Sequence, residues 1–204
     1  MHVVLVAVSK TNPNEAIMEA YEAGQRVFGE NKVQEMVQKW EELPKDIEWH
    51  MIGHLQRNKV KYIAEFVSLI HGVDSLKLLQ EIDKQAQKHN RVIPCLLQMH
   101  IAEEDTKFGL DTSELNALLA SEGFKALEHV KITGLMGMAT FTSNKNQVRK
   151  EFAQLKSIFN GLKQKLSHIS ILSMGMSGDY HIAVEEGSTM VRIGSSIFGT
   201  RNYS

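Results

Sequence analysis

Eight short β-branched runs, seven intervening stretches of helical period and the lack of any linker-like tract predict an α/β protein: one closed (β/α)8 (TIM) barrel over residues 1–204. Strict alternation of strand and helix implies parallel strands, and eight such units fit a closed barrel better than an open doubly wound sheet. The 204 residues fall short of the usual barrel length of about 250, so short loops and no second domain are expected.

In chain order, the expected strands are 3–9 (VVLVAVS), 26–29 (RVFG), 48–53 (EWHMIG), 66–72 (FVSLIHG), 92–101 (VIPCLLQMHI), 131–139 (KITGLMGMA), 169–176 (ISILSMGM) and 190–194 (MVRIG). Between them, helical period is expected over 13–24 with Asn12 as cap, then 31–42, 55–65, 75–89, 112–123, 144–166 and 178–186. The longest loop is expected at 101–110 (IAEEDTKFGL).

Composition excludes several functional classes. Lys plus Arg (23) balance Asp plus Glu (24), so no global field favours nucleic acid or an anionic membrane, and the RNKVK run at 57–61 reads as solvated helix surface. No apolar stretch approaches the roughly 18 residues of a membrane span, and MHVVLVAVSK lacks the basic start and cleavage site of a leader. The one cysteine, Cys95, lies in an apolar run, reads as a small buried hydrophobe and suits a reducing cytosol. No exposed apolar helix stands out as an interface, so a monomer is expected.

In such barrels, sites form at the carboxyl ends of the strands, with phosphate commonly held by the loops after strands seven and eight. Lys10 continues the parity of Val6 and Val8, which aims its amine at the mouth of the barrel. Desolvation there would suit a Schiff base with a carbonyl ligand, whereas a strand-end lysine reaching to solvent is the plain alternative. Gly194, Ser195 and Ser196 follow the last strand and Ser177 follows the seventh. Each serine alone reads as a helix cap, but together they fit an anion cradle.

Arg192 shares parity with Met190 and Gly194 and so projects into the barrel, where a charged guanidinium needs either a ligand or an interior acid such as Glu30 or Asp179. A lysine for an aldehyde, a phosphate cradle and a donor-only group for a ring nitrogen together describe pyridoxal 5′-phosphate (PLP). His50 and His54 fall on a strand and its turn rather than on a helix, so no metal site is expected. Met136, Met138, Met174 and Met176 read as barrel filling, with Met176 also a wall for the ring. No GxGxxG or GxxxxGK run competes for the phosphate.

The motifs AVSKTNP, FGENKVQE, WHMIGHLQRNK, GLMGMA and GMSGDYHIAVEEGSTMVRIGSSIFG resemble, in order and spacing from Val3 to Ser204, the pyridoxal phosphate homeostasis (YggS/PROSC) family. That family resembles the barrel domain of alanine racemase standing alone, a fold-type III PLP-binding barrel. The resemblance implies PLP held as an internal aldimine by Lys10, phosphate held by Ser177 and the Gly194–Ser195 backbone, Arg192 facing the pyridine nitrogen, and Asn31 lining the pocket. It also brings in His50, which would otherwise only pack, and Asn58, which would otherwise cap a helix. The family carries about one helix more before strand one, whereas here the first strand begins at Val3.

A racemase needs an acid/base on each face of the substrate carbon, and the chain ends ten residues after Gly194, too soon for the second domain that supplies one in alanine racemase. The expectation is therefore a non-catalytic holder of PLP acting in its homeostasis, with PLP-dependent apo-enzymes as candidate recipients. The enzyme alternative is a weak amino-acid racemase or other Schiff-base enzyme using Lys10 with Tyr180, His181 or His54. A phosphate-sugar aldolase shares the lysine and phosphate logic but gives no reason for Arg192.

Overall fold

A computed structural model describes residues 2–105 and 108–200. Eight parallel strands, β1 (Val4–Val8), β2 (Val27–Glu30), β3 (Glu48–Met51), β4 (Leu69–Val73), β5 (Ile93–Gln98), β6 (Val130–Met136), β7 (Ile171–Ser173) and β8 (Met190–Ile193), pair in sequence order. The barrel closes where β1 pairs with β8, Val4 opposite Met190 and Val6 opposite Arg192. All eight expected strands form; β2 is shifted by one residue at equal length, and the others are shorter than their apolar runs.

Outside the strands lie α1 (Asn14–Glu22), α2 (Val33–Glu42), α3 (Leu76–Lys88), α4 (Thr112–Ala120), α5 (Glu122–Lys125), α6 (Lys145–Lys165), α7 (Tyr180–Glu185) and α8 (Ser195–Phe198). Their apolar stripes face the sheet. In α6, Val148, Phe152, Leu155, Phe159 and Leu162 recur at helical spacing and are buried. Outward strand residues such as Phe28, Trp49, Ile70, Leu97 and Leu172 meet these stripes in the main core. Trp49 Nε1 is the buried side-chain polar atom left without a partner among the described residues.

Three local expectations need correction. Residues 57–62 form a 3₁₀ segment rather than part of an α-helix. The stretch 112–123 breaks at Ser121, whose extended backbone ends α4 while its hydroxyl accepts from Phe124 N–H to start α5. Asn12 does not cap α1. Pro13 takes that position, and Asn12 Nδ2 turns back to the Lys10 carbonyl at 3.1 Å. The loop expected at 101–110 contains Thr106 and Lys107, which lie outside the described residues.

The inside of the barrel has two tiers. Val6, Leu69, Leu96, Met136 and Met190 form a buried apolar cluster, with Met138 packed against it. Inward positions nearer the carboxyl ends are polar: His50, His71, Gln98, Ser173 and Arg192, all buried. Met174 has the opposite parity and packs in the outer core, not in the barrel, and Met176 is exposed.

Candidate functional site

The ends of β1, β7 and β8 converge at the carboxyl mouth. Lys10 is half-buried in the turn just past β1. A Cβ on Gly194 would lie 3.3 Å from both Cβ and O of Val8, so a bare backbone lets the β8 turn settle against the strand that leads to Lys10. Ser177 Oγ accepts from the N–H of Ser196 at 3.4 Å, tying the β7 turn to the β8 turn.

The β7 turn is itself rigid. The Met176 carbonyl accepts from Asp179 N–H and Tyr180 N–H, and Asp179 Oδ1 accepts from Met176 N–H at 2.7 Å. Gly175 sits at φ +107°, where a Cβ would come 2.7 Å from that of Ala183. This framework holds Met176 and Ser177 beside exposed Ser195, the first residue of α8. A hydroxyl and the N–H groups of an opening helical turn are the donors an anion needs.

Below the mouth, Arg192 is buried and joins a polar network across the barrel. Its Nη1 donates to Ser173 Oγ at 2.5 Å and to the Ser173 carbonyl at 3.1 Å, and its Nη2 donates to the Gly137 carbonyl at 3.2 Å. Ser173 Oγ lies 3.0 Å from His71 Nδ1, and His71 Nε2 lies 2.9 Å from His50 Nδ1. Burial pushes the pKa of Arg192 down to about 10, with Asp179's charge pulling it back up, so it stays cationic at neutral pH.

Of the two interior acids suggested for Arg192, Asp179 acts on it through its charge, whereas Glu30 does not serve it. Glu30 instead accepts from Lys39 Nζ at 3.0 and 3.1 Å and from Ser9 Oγ at 2.5 Å. Sequence reasoning missed His71 and Ser173. Their signal was inward parity, His71 with Leu69 and Ser173 with Ile171, in strands otherwise apolar.

Three buried groups set opposing pH slopes. Burial pushes His50 down to about 4, and burial, then the charges of His50 and Arg192, push His71 well below its ordinary 6.5. Below pH 6.5 the unfolded chain takes up protons that the folded rings refuse, so this contribution is lost as pH falls through about 4. Burial pushes Glu30 up to about 7, against the pull of Lys39 and Ser9. The folded chain therefore keeps a proton that the unfolded one releases above 4.5, and stability declines as pH rises to about 7. Two histidines outweigh one glutamate below pH 6.5, and Glu30 acts alone above it. These groups place the highest melting temperature near pH 6.5, and Glu30→Gln should abolish the decline from there to about 7. Thermal melts across this range check both; a parent profile flat from pH 4 to 6.5 contradicts neutral histidines.

The remaining candidates sit apart. Asn31 follows β2 and, with Met51, His54 and Gln56, lines a cavity of about 250 Å³ whose lining includes neither Lys10 nor Arg192. Asn58 is exposed in the 3₁₀ segment and lines a hollow of about 540 Å³ with Arg57, Lys77 and Lys84, which none of the other candidates reaches. His54 stacks on Phe108 with ring centroids 4.5 Å apart, while His50 faces His71, so the two do not share a centre. Tyr180 and His181 lie with ring centroids 3.9 Å apart at the start of α7. No group of three His, Cys, Asp or Glu able to hold a metal occurs among the described residues. Cys95 is fully buried, which pushes its thiol pKa up and disfavours the reactive thiolate. No helix among the described residues is long and apolar enough to cross a membrane.

The sequence model of the family described as "Alanine racemase, N-terminal domain" matches residues 2–202. A protein of Aquifex aeolicus named pyridoxal phosphate homeostasis protein is 43% identical, the match covering 98% of this chain and 87% of that protein. One of the same name from Escherichia coli K12 is 41% identical over 99% of this chain and 87% of its own length. The structure of PipY from Synechococcus elongatus PCC7942 with PLP bound superposes with a TM-score of 0.88 at 40% identity, covering 97% of this chain and 92% of that one. By fold and by sequence over nearly its whole length, the chain belongs to the alanine racemase N-terminal domain family and, within it, to the pyridoxal phosphate homeostasis proteins.

Proposed function

We propose that the chain holds PLP at the mouth of its barrel, covalently through Nζ of Lys10, and buffers or delivers the reactive aldehyde without turning over a substrate. When bound, PLP supplies an aldehyde that condenses with a primary amine, together with a phosphate and a pyridine nitrogen. The donor set suits all three. Lys10 offers the amine; Ser177 and the Gly194–Ser195 turn offer hydroxyl and backbone donors for phosphate; Arg192 offers N–H donors to the ring nitrogen. His50 supports Arg192 through His71 and Ser173, Met176 flanks the ring, and Asn31, which lines a neighbouring cavity, follows β2, the strand paired with the one that leads to Lys10.

The observation that carries this reading is the union of the β7 and β8 turns, through Ser196 N–H and Ser177 Oγ, where β8 pairs with the strand that leads to Lys10 and above a buried cationic arginine. The PLP-bound structure of PipY supports it by relationship. Arginine does not surrender its proton to a pyridine nitrogen, so the ring stays unprotonated and withdraws electrons poorly, which favours holding over catalysis. The exposed large apolar side chains, among them Leu5, Tyr62, Val92 and Phe141, are scattered in sequence rather than gathered on one helix, in keeping with a monomer. A single buried thiol suits the cytosol, and PLP-dependent apo-enzymes are the recipient class.

The test is an absorbance spectrum of the PLP-loaded protein before and after borohydride, with peptide mapping. Loss of the visible band and a stable mass increment on the peptide containing Lys10 are expected; an increment confined to other lysines overturns the assignment. Incubating the loaded protein with amino acids in deuterated water should leave their α-carbons unlabelled, and labelling would establish racemase-type turnover.

A further inference from the structure

The turn that carries Lys10 is held by side chains from a different element. Lys39 of α2 is buried, and its Nζ donates to the Ser9 carbonyl at 2.8 Å, to Glu30 at 3.0 Å and to Glu35 Oε1 at 2.8 Å. Three donors thus meet three acceptor groups. Glu35, one turn before Lys39 on the same face of α2, also accepts from the backbone N–H of Thr11 at 2.6 Å. Ser9 Oγ closes the circuit on Glu30.

These contacts grip both peptide planes that flank Lys10. The Ser9 carbonyl lies in the plane before its Cα, and the Thr11 N–H lies in the plane after it. Because each peptide is planar, fixing both planes fixes φ and ψ at Lys10 and hence the direction of its Cα–Cβ bond. Thr11 itself stands at φ +63°, a left-handed conformation that a β-branched residue avoids unless its surroundings impose it. The strained residue is the one whose N–H Glu35 holds.

We propose that Glu35 and Lys39 are positioning residues that aim the amine of Lys10, imposing the strained turn at Thr11 to do so. This rests on the reading that Lys10 captures PLP, but neither residue needs to touch the cofactor. Glu35 is the better probe, because its side chain is 25% exposed whereas Glu30 and Lys39 are buried together and their replacement endangers the fold. Glu35→Ala removes the acceptor for Thr11; Glu35→Gln keeps an oxygen there.

The measurement is the rate at which PLP becomes borohydride-trappable on Lys10, at saturating PLP, in parent, Glu35→Ala and Glu35→Gln. Hydrogen exchange of the Thr11 amide is followed in the PLP-free proteins. A misaimed reactive group costs up to about 100-fold in rate, so Glu35→Ala should capture at least ~10-fold more slowly with faster Thr11 exchange, and Glu35→Gln should restore both largely. Equal capture by all three, with the parent adduct on Lys10, overturns the positioning role alone. A parent that forms no adduct on Lys10 overturns this inference together with the functional reading beneath it.

Discussion

Lys10→Ala protein is expected to fold as the parent does and to yield no borohydride-stable PLP adduct on the barrel. The side chain is half-buried and belongs to neither apolar cluster, and the bonds that shape its turn run to the Ser9 and Thr11 backbone, which alanine retains. Circular dichroism and the thermal melt check that the barrel survives the truncation. Binding should suffer far more. With only the Ser177 and Gly194–Ser195 donors and Arg192 remaining, the apparent affinity should fall at least about 100-fold, equivalent to ~2.7 kcal/mol. Equilibrium dialysis and the visible spectrum measure this, and a variant that purifies as yellow as the parent refutes covalent capture at this position.

Gly134→Ala is expected to destroy the fold. A Cβ at Gly134 would stand 1.7 Å from the carbonyl O of Ile171 and 2.6 Å from its C, both backbone atoms with no rotamer to escape into. Relief requires β6 to part from β7, where Gly134 pairs with Ile171 and Met136 with Ser173. That separation opens the barrel and removes the serine that holds Arg192. The loss should exceed ~4 kcal/mol, the size reserved for severe core disruption. Gly161→Ala, exposed within α6 with nothing inside 4 Å of the added carbon, should instead stabilise by about 0.5–1 kcal/mol. Chemical denaturation of both variants checks the contrast.

The strands were readable because a parallel barrel covers both of their faces, leaving runs such as VVLVAV continuously apolar. The placement of Lys10, Ser177, Arg192 and Gly194 at the carboxyl ends of β1, β7 and β8 was likewise legible, since barrel geometry singles out strand ends. Pairings between distant residues were not. Nothing in the chain order says that His71 meets Ser173, 102 positions away, or that Lys39 reaches back to the Ser9 carbonyl, 30 positions earlier. Nor does the motif that bears His50 say that the 3₁₀ segment sets Asn58 in a hollow beside α3.

Val6, Leu69, Leu96, Met136 and Met190 act as a stopper driven into the cylinder from its amino-terminal side. Among the described residues, a small molecule seated at the carboxyl mouth is therefore closed off from below, and under the proposed holding role loading and release would share that one opening.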